Sequence, residues 1–443
     1  MVHRMRIGYL IPGCGVSGGI HVICQHANRL KRRGHDVLLI SMGKKDEVID
    51  WFPHQNVPII WLDDCPGDLD ILVATSWRTS FWVAALPARN KCYFVQSDET
   101  RFHPEGSMWE HITRLSYMMD FNFLTEAKWI KDWLKKEFNK DAFLVPNGLD
   151  SELFRPAKPL EPKIKKPRIL LEGAIGLPYK GMKEAFEAVS DLDVEVWCVS
   201  SFGEPQPEWK CDRFFQQVPI TQMKHIYSSC DILLKLSRVE GFFGPPLEMM
   251  ACGGTCVVGK VTGSDEYIVP DVNALVVDPM DIDGARDALK LIISDKDFKS
   301  KLIANGLQTA KEWQWEPSID VLEKNLADIS GYLHNEGQPQ NKNNRSIASF
   351  YFSLLDDKKM LTFLNGDEAV KNTAVYTKQL KRLKKKREPL TKFEVIRSFI
   401  SLYLFKKTGL TYMEKAFREN FLKPVKNYAR KFYGKGKHSH SGL

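Results

Sequence analysis

Apolar residues in this 443-residue chain fall into short continuous runs of strand length, separated by stretches whose apolar positions recur every three or four residues. The opening segment MRIGYLIPGCGVSGGIHVICQHANRLKRRGHDVLLI shows one full cycle: a strand, a loop carrying Gly13, Gly15, Gly18 and Gly19, an amphipathic helix and a second strand. Strand and helix signals keep alternating through residue 330, the pattern of parallel sheets with crossover helices. In a doubly wound sheet the turn between the first strand and its helix is the phosphate-binding or ligand-facing one, so Gly18 and Gly19 are expected at such a turn.

Breaks in the pattern divide the chain. The stretch AKPLEPKIKKP has Pro and Lys but no apolar period, so residues 156–167 read as a linker between a first domain, 1–155, and a second, 168–333. Just before it, Asn147-Gly148 suits a turn with positive φ, and Asp150 can cap the residues immediately after it. The second domain opens with a strand at Arg168 to Leu171. A polar segment, HNEGQPQNKNNRS at 334–346, predicts a second linker. Beyond it, residues 347–443 carry two amphipathic helical patterns, FYFSLLDDKKMLTFL and FEVIRSFISLYLF, with KQLKRLKKKR between them.

The passage richest in chemistry is EGFFGPPLEMMACG at 240–253. Upstream, CDILLKL is a strand, and the Gly-Phe-Phe-Gly-Pro-Pro turn must end it. Pro245 and Pro246 suit the first turn of a helix, because their fixed φ is helical and their missing donors would be orphans there. The helix should start near Pro246, its amides and dipole attracting an anion, with Gly241 and Gly244 letting a ligand approach the backbone. Glu248, one turn in, can accept hydrogen bonds from a diol such as a ribose, while Glu240 faces the space beyond the helix mouth. Two acids then bracket a cationic pocket sized for a sugar esterified to a pyrophosphate.

The segment SRVEGFFGPPLEMMACGGTCVVGKVTGSDEYIVPDVNALVVDP, Ser237 to Pro279, resembles the donor-site signature of the family 4 retaining glycosyltransferases, and residues 5–330 follow that family's order. The resemblance implies the GT-B fold, two Rossmann-like doubly wound domains facing across a cleft, here with a basic helical C-terminal extension. It implies a nucleoside-diphosphate sugar donor and a hydroxyl acceptor on a glycan or lipid carrier, with no further cofactor and no metal. Glu240 and Glu248 match the ends of the E-x7-E motif, placing Glu240 at the donor sugar and Glu248 at the ribose. Phe243 and Gly244 lie within that motif, and Thr262, Gly263 and Glu266 resemble the following loop near the donor. After the Arg168 strand the family carries an Arg and a Lys that neutralise the diphosphate as the leaving nucleotide gains charge. Lys180 matches the Lys, but Ala174 and Ile175 stand where the Arg is expected, with Arg238 and Lys183 as candidate substitutes. The family's mid-domain His has no match. In KCYFVQSDETRFHP, Gln96 and Asp98 are the candidates for sugar or acceptor contacts, and His103 reads as a loop residue. The segment EWQWEPSIDVLEKNLADI resembles the family's terminal helix, which crosses back to the first domain.

Composition bounds these expectations. A 43% hydrophobic, 27% charged chain is ordinary for a globular protein. Nine cysteines without paired spacing suggest reduced thiols in a cytoplasmic compartment, and Cys252 and Cys256 read as core residues. No run reaches membrane-span length, and MVHRMRIGYLI is too poor in apolar content for a signal peptide. The net charge of +8 conceals a division: residues 371–443 carry 20 Lys and Arg against 4 Asp and Glu, a local +16 that leaves the rest at −8. Such a tail suits an anionic membrane surface at the inner face of the membrane, where lipid-linked acceptors are found, nucleic acid being the weaker fit and the chain's own acidic body another partner. Two rivals to the transferase reading stand beside it: a catalytically silent scaffold or sugar-binding relative, and a nucleotide-sugar epimerase.

Overall fold

A computed structural model describes residues 4–53, 55–331 and 342–356. Thirteen strands among these residues form two all-parallel sheets. The first holds β1 (Arg6–Ile11), β2 (Asp36–Ser41), β3 (Ile59–Trp61), β4 (Ile71–Ala74), β5 (Asn90–Val95), β6 (Asn122–Thr125) and β7 (Ala142–Leu144), in the order 3-2-1-4-5-6-7. The second holds β8 (Arg168–Glu172), β9 (Glu195–Ser200), β10 (Arg213–Gln216), β11 (Ile232–Lys235), β12 (Thr255–Gly259) and β13 (Leu275–Val277), in the order 10-9-8-11-12-13. Their central strands are apolar almost throughout because helices cover both faces, as parallel sheets require. The helices are α1 (Gly18–Arg32), α2 (Trp77–Ala85), α3 (Met108–Met118) and α4 (Lys128–Phe138) in the first half; α5 (Met182–Val189), α6 (Ile220–Ser229), α7 (Gly244–Ala251), α8 (Ile282–Ser294) and α9 (Lys296–Glu312) in the second; then α10 (Trp315–Gly331) and α11 (Lys342–Asp356).

Each sheet reverses winding next to its first strand, between β1 and β4 and between β8 and β11. Loops leaving the carboxyl ends of neighbouring strands part there, and open α/β sheets bind ligands in that crevice. Leu234 pairs with Leu171, so the last residues of β11 and β8, Lys235 and Glu172, emerge side by side at the second switch point.

Two returning helices complete the first half. Trp315, Ile319, Leu322, Leu326 and Ile329 of α10 are buried among Ile7, Ile23, Leu39 and Phe94, and Arg33 binds Glu316 at 2.9 Å, Asp320 at 2.7 Å and Glu323 at 2.9 Å. Gly148 serves α10 as well: it has no positive φ, against the sequence expectation, and a Cβ there would overlap the backbone of Trp315. Helix α11 begins at Lys342, inside the stretch expected as linker. Its residues Ile347, Ala348, Phe350, Tyr351, Phe352 and Leu355 are buried. Tyr351 stacks on Phe81 with centroids 4.2 Å apart, and Phe352 meets Trp82 edge-on at 4.8 Å. The apolar face at 347–355 is therefore taken by α2 and is closed to a membrane. The expectations for 371–443 lie outside the described residues. We predict that Phe352→Ala costs about 3 kcal/mol of first-domain stability by leaving a cavity against Trp82; a denaturation midpoint equal to wild type would show that α11 is not docked in solution.

All nine cysteines are free, and Cys252 and Cys256 are buried as expected. Among the described residues no helix is long and apolar enough to cross a membrane.

Candidate functional site

The carboxyl ends of the two sheets face each other across a cleft enclosing about 710 Å³, within the range for nucleotide-sized ligands. The first domain contributes Gly18 and Gly19 at the start of α1, Thr75 and Ser76 after β4, and Gln96 after β5; the second contributes Glu172, Lys180, Lys235, Glu240, Gly244 and Glu248.

Glu240 sits in the loop between β11 and α7. Both its oxygens accept hydrogen bonds from the Lys180 ammonium, at 2.8 and 2.9 Å, and Lys235 Nζ lies 3.9 Å from Oε1. Burial alone would raise its pKa, but the charges of Lys180 and Lys235 and the Lys180 hydrogen bond outweigh that and hold it below the ordinary glutamate value. Glu248, on α7, accepts a hydrogen bond from Tyr227 Oη at 2.9 Å. Among the described residues no cation pairs with it at that range, and burial lifts its carboxyl to about 7 despite the Tyr227 bond. Environment thus separates the two acids, Glu240 firmly ionised and Glu248 titrating near neutrality.

Helix α7 starts at Gly244, within two residues of expectation, with prolines in its first turn. Its N-terminus is poorer in donors than the sequence implied. Pro245 and Pro246 have no N–H, and the Gly244 amide is spent on Phe242 O at 3.0 Å.

Other expected residues fall elsewhere. Asp98 is absent from the cleft wall: its carboxylate turns back to cap the Glu99–Phe102 turn, accepting from Thr100 N at 3.1 Å. Gln96, two residues earlier, lines the cleft, its amide donating to Thr75 O at 3.1 Å while Oε1 has no protein partner. Phe243 is fully buried in the second domain's core, and Phe242, packed on Tyr267 and Trp313, is the one of the pair that borders the cleft. Thr262, Gly263 and Glu266 lie outside the cleft wall, at a clasp between the domains. Glu266 accepts the amides of Lys128 at 2.6 Å and Trp129 at 3.3 Å, capping α4 of the first domain, and Thr262 Oγ1 accepts from Arg101 at 3.0 Å. Gly241, expected to admit a ligand, instead touches protein: a Cβ there would overlap Gln96 O. Arg238 is taken by Glu184 at 2.9 Å and by Pro178 O, and neither it nor Lys183 lines the cleft. His103 packs edge-on against Trp77, off the cleft wall.

The pocket is also less cationic than expected. Among the described residues lining it, the basic ones are Lys180, Lys235 and His21, and burial pushes His21 down to about 4, leaving it neutral at neutral pH. Six carboxyl groups share the wall: Glu99, Glu126, Asp150, Glu172, Glu240 and Glu248. Sequence reasoning missed Lys235, Glu172, Tyr227 and Glu126. The one signal for Lys235 is the charge that closes the otherwise apolar strand of CDILLKL.

Glu126, at the end of β6, ties the halves together: it accepts from Phe242 N at 2.9 Å and from Asn147 Nδ2 at 2.8 Å. Burial, with the charges of Glu240 and Glu266 adding to it, raises its carboxyl to about 8 against the opposing hydrogen bonds from Asn147 and Phe242. The folded chain then holds a proton that the unfolded chain releases above the ordinary glutamate value. Stability contributed by this group is full at low pH and falls as pH rises to about 8. Glu126→Gln should therefore be more stable than wild type above pH 8, on the order of 1–3 kcal/mol, with the difference shrinking towards pH 5. A pH-independent difference in melting between the two proteins would contradict this.

Comparison with known proteins places this geometry. Residues 212–309 match the family described as Glycosyl transferases group 1. The chain is 22% identical over 355 residues to O-antigen biosynthesis protein RfbC of Myxococcus xanthus, covering 73% of this chain and 27% of that protein. Solved structures similar to it include the sucrose-phosphate synthase of Thermosynechococcus elongatus (TM-score 0.62, 15% identity, covering 74% of this chain and 100% of that one). Another is Anabaena Alr3699/HepE in complex with UDP-glucose (TM-score 0.61, 14% identity, 74% and 100% covered). The chain spans 27% to 58% of the first three curated relatives it matches. The fold is GT-B, two Rossmann-like sheets across a cleft. The matched segment, 212–309, lies in the second half and contains the 237–279 stretch that carries the family 4 resemblance.

Proposed function

We propose that this protein is a retaining glycosyltransferase, moving a sugar from a nucleoside diphosphate to a hydroxyl of a glycan or lipid-linked acceptor in surface polysaccharide or glycoconjugate assembly. The observation that carries the reading is that Glu240 and Glu248 open into one cleft at the second sheet's switch point, with Lys180 beside them. Glu240 stabilises positive charge as the glycosidic bond opens, or orients the sugar. Glu248 accepts the ribose hydroxyls, and Lys180 bears on the diphosphate as its charge grows. The leaving phosphate accepts the acceptor's proton on the face it departs from, so no separate general base is required and no step is routed through a metal. Gln96, with its free Oε1, and Gly18 and Gly19 form the opposite wall, where the acceptor or the far side of the donor rests. The HepE neighbour's UDP-glucose and RfbC's part in O-antigen biosynthesis support the donor class and the assembly role. Attachment to an anionic membrane through residues 371–443, and a cytoplasmic site of action, belong to the same proposal.

The test is a panel of UDP-, GDP-, dTDP- and ADP-sugars, scored by thermal stabilisation and by release of nucleotide with an acceptor hydroxyl present. At least one should raise the melting temperature. Stabilisation by none would favour a silent scaffold, whereas conversion of the donor sugar without any acceptor would favour an epimerase. Among variants, Glu248→Ala should weaken nucleotide affinity by about tenfold while changing turnover at saturation little.

A further inference from the structure

The second domain's wall lacks nearly every usual partner for a diphosphate. No Arg stands at 174 or 175. In the loop after β8, the amides of Gly173, Ile175, Gly176, Leu177 and Lys180 all bond to protein oxygens: Val199 O, Ser200 Oγ, Phe202 O, Ala174 O and Leu177 O. The first turn of α7 has two prolines and a spent glycine amide. Backbone capture of a phosphate, the common solution at such turns, is therefore largely used up on this side of the cleft.

Besides Lys180, the cationic side chain that remains on this wall among the described residues is Lys235. Its side chain is only 3% exposed, yet it reaches the cleft wall at the switch point. Two of its three donors go to Glu172, to the backbone O at 2.9 Å and to Oε2 at 2.6 Å, and the third has no hydrogen-bond partner among the described residues, with Glu240 Oε1 3.9 Å from the nitrogen. Lys180 Nζ lies 2.8 Å from that same oxygen, so the two ammonium groups flank one point from opposite chain segments. A buried lysine at a strand end is costly to keep, and an apolar residue of the same length would fill its place without that cost. We propose that Lys235 is the second cation on the donor diphosphate, doing from β11 what an arginine after β8 would otherwise do. This rests on the nucleoside-diphosphate reading above. Glu172 holds the ammonium in position, and Lys235 and Lys180 together neutralise the pyrophosphate as the bond to the sugar breaks.

The experiment is titration calorimetry of the full chain with UDP, GDP, dTDP and ADP, then with the monophosphate of whichever base binds. Lys235→Met should lower diphosphate affinity by about tenfold or more while leaving monophosphate affinity nearly unchanged. A role confined to packing or to keeping Glu240 ionised would leave the diphosphate-to-monophosphate ratio where it was. Should Lys235→Met fail to fold because Glu172 is left unpaired, Lys235→Met with Glu172→Gln removes both charges and decides by the same ratio. Wild type binding a diphosphate that the variant binds within twofold overturns the assignment of Lys235. Wild type binding none of the four diphosphates overturns the donor reading, and the assignment with it.

Discussion

Glu240→Gln should lower kcat by about 10²–10³-fold while leaving affinity for the nucleoside diphosphate equal to wild type or tighter. The two halves of that expectation have different causes. Gln keeps the size of the side chain and one acceptor for Lys180, so the loop and the fold should persist. It removes the negative charge proposed to face the sugar as its bond opens, an interaction that grows towards the transition state and is small in the ground state. In the resting site Glu240 also engages both lysines, holding Lys180 by two bonds and lying 3.9 Å from Lys235. Neutralising it releases them to the diphosphate, so binding should not suffer. A residue that only held the nucleotide would show the reverse split, with KM raised and kcat spared. A kcat within about threefold of wild type in a variant that melts normally would remove Glu240 from the chemistry.

Much of the architecture could be read from the chain because parallel strands covered on both faces are written as short apolar runs, such as Ile169 to Leu171 and Ile232 to Leu234, with polar or turn-forming residues at their ends. The E-x7-E segment was legible for a related reason: it couples a strand end, a forced turn and a helix start, and few backbone paths join those three. Neighbours within a turn were harder. Gln96 and Asp98 are two residues apart, and which of them faces the cleft depends on the Glu99–Phe102 turn, whose need for a cap at Asp98 draws that carboxylate away. Of Phe242 and Phe243 the first lines the cleft and the second is wholly buried, and the sequence offers no sign of which goes inward. Apart from the return of α10 to the first domain, expected from EWQWEPSIDVLEKNLADI and found against Ile7 and Phe94, contacts between the halves were hidden. Glu266 capping a helix of the other domain, and α11 filling the groove over α2, join residues 138 or more positions apart with no local signature.

Gly241→Ala should lower stability by only about 1–2 kcal/mol, for the loss of two hydrogen bonds between the domains, and lower kcat/KM by about 10²-fold, an effect set by where the two domains meet. Gly241 has no positive φ, so alanine brings no backbone strain of its own. The added Cβ would overlap the carbonyl oxygen of Gln96 and come within 2.8 Å of Glu126 Oε1, both in the first domain. Rigid backbone on one side leaves relief only by moving the loop or the domain. The loop is already fixed there by Trp129 Nε1, which donates to Gly241 O at 2.8 Å, and by Phe242 N–H on Glu126. Gly263, at φ 82°, lies against the same carbonyl and closes the far side. Pushed off this seat, the segment Glu240–Phe242 carries the Glu240 carboxylate away from Gln96 and the wall opposite. The second domain's own core is built from other residues, so Lys180, Lys235 and Glu248 should still bind a nucleoside diphosphate with near wild-type affinity, while solution scattering reports a more open cleft. Unaltered turnover in the alanine variant would mean that the contact between Gly241 and Gln96 has no part in assembling the site.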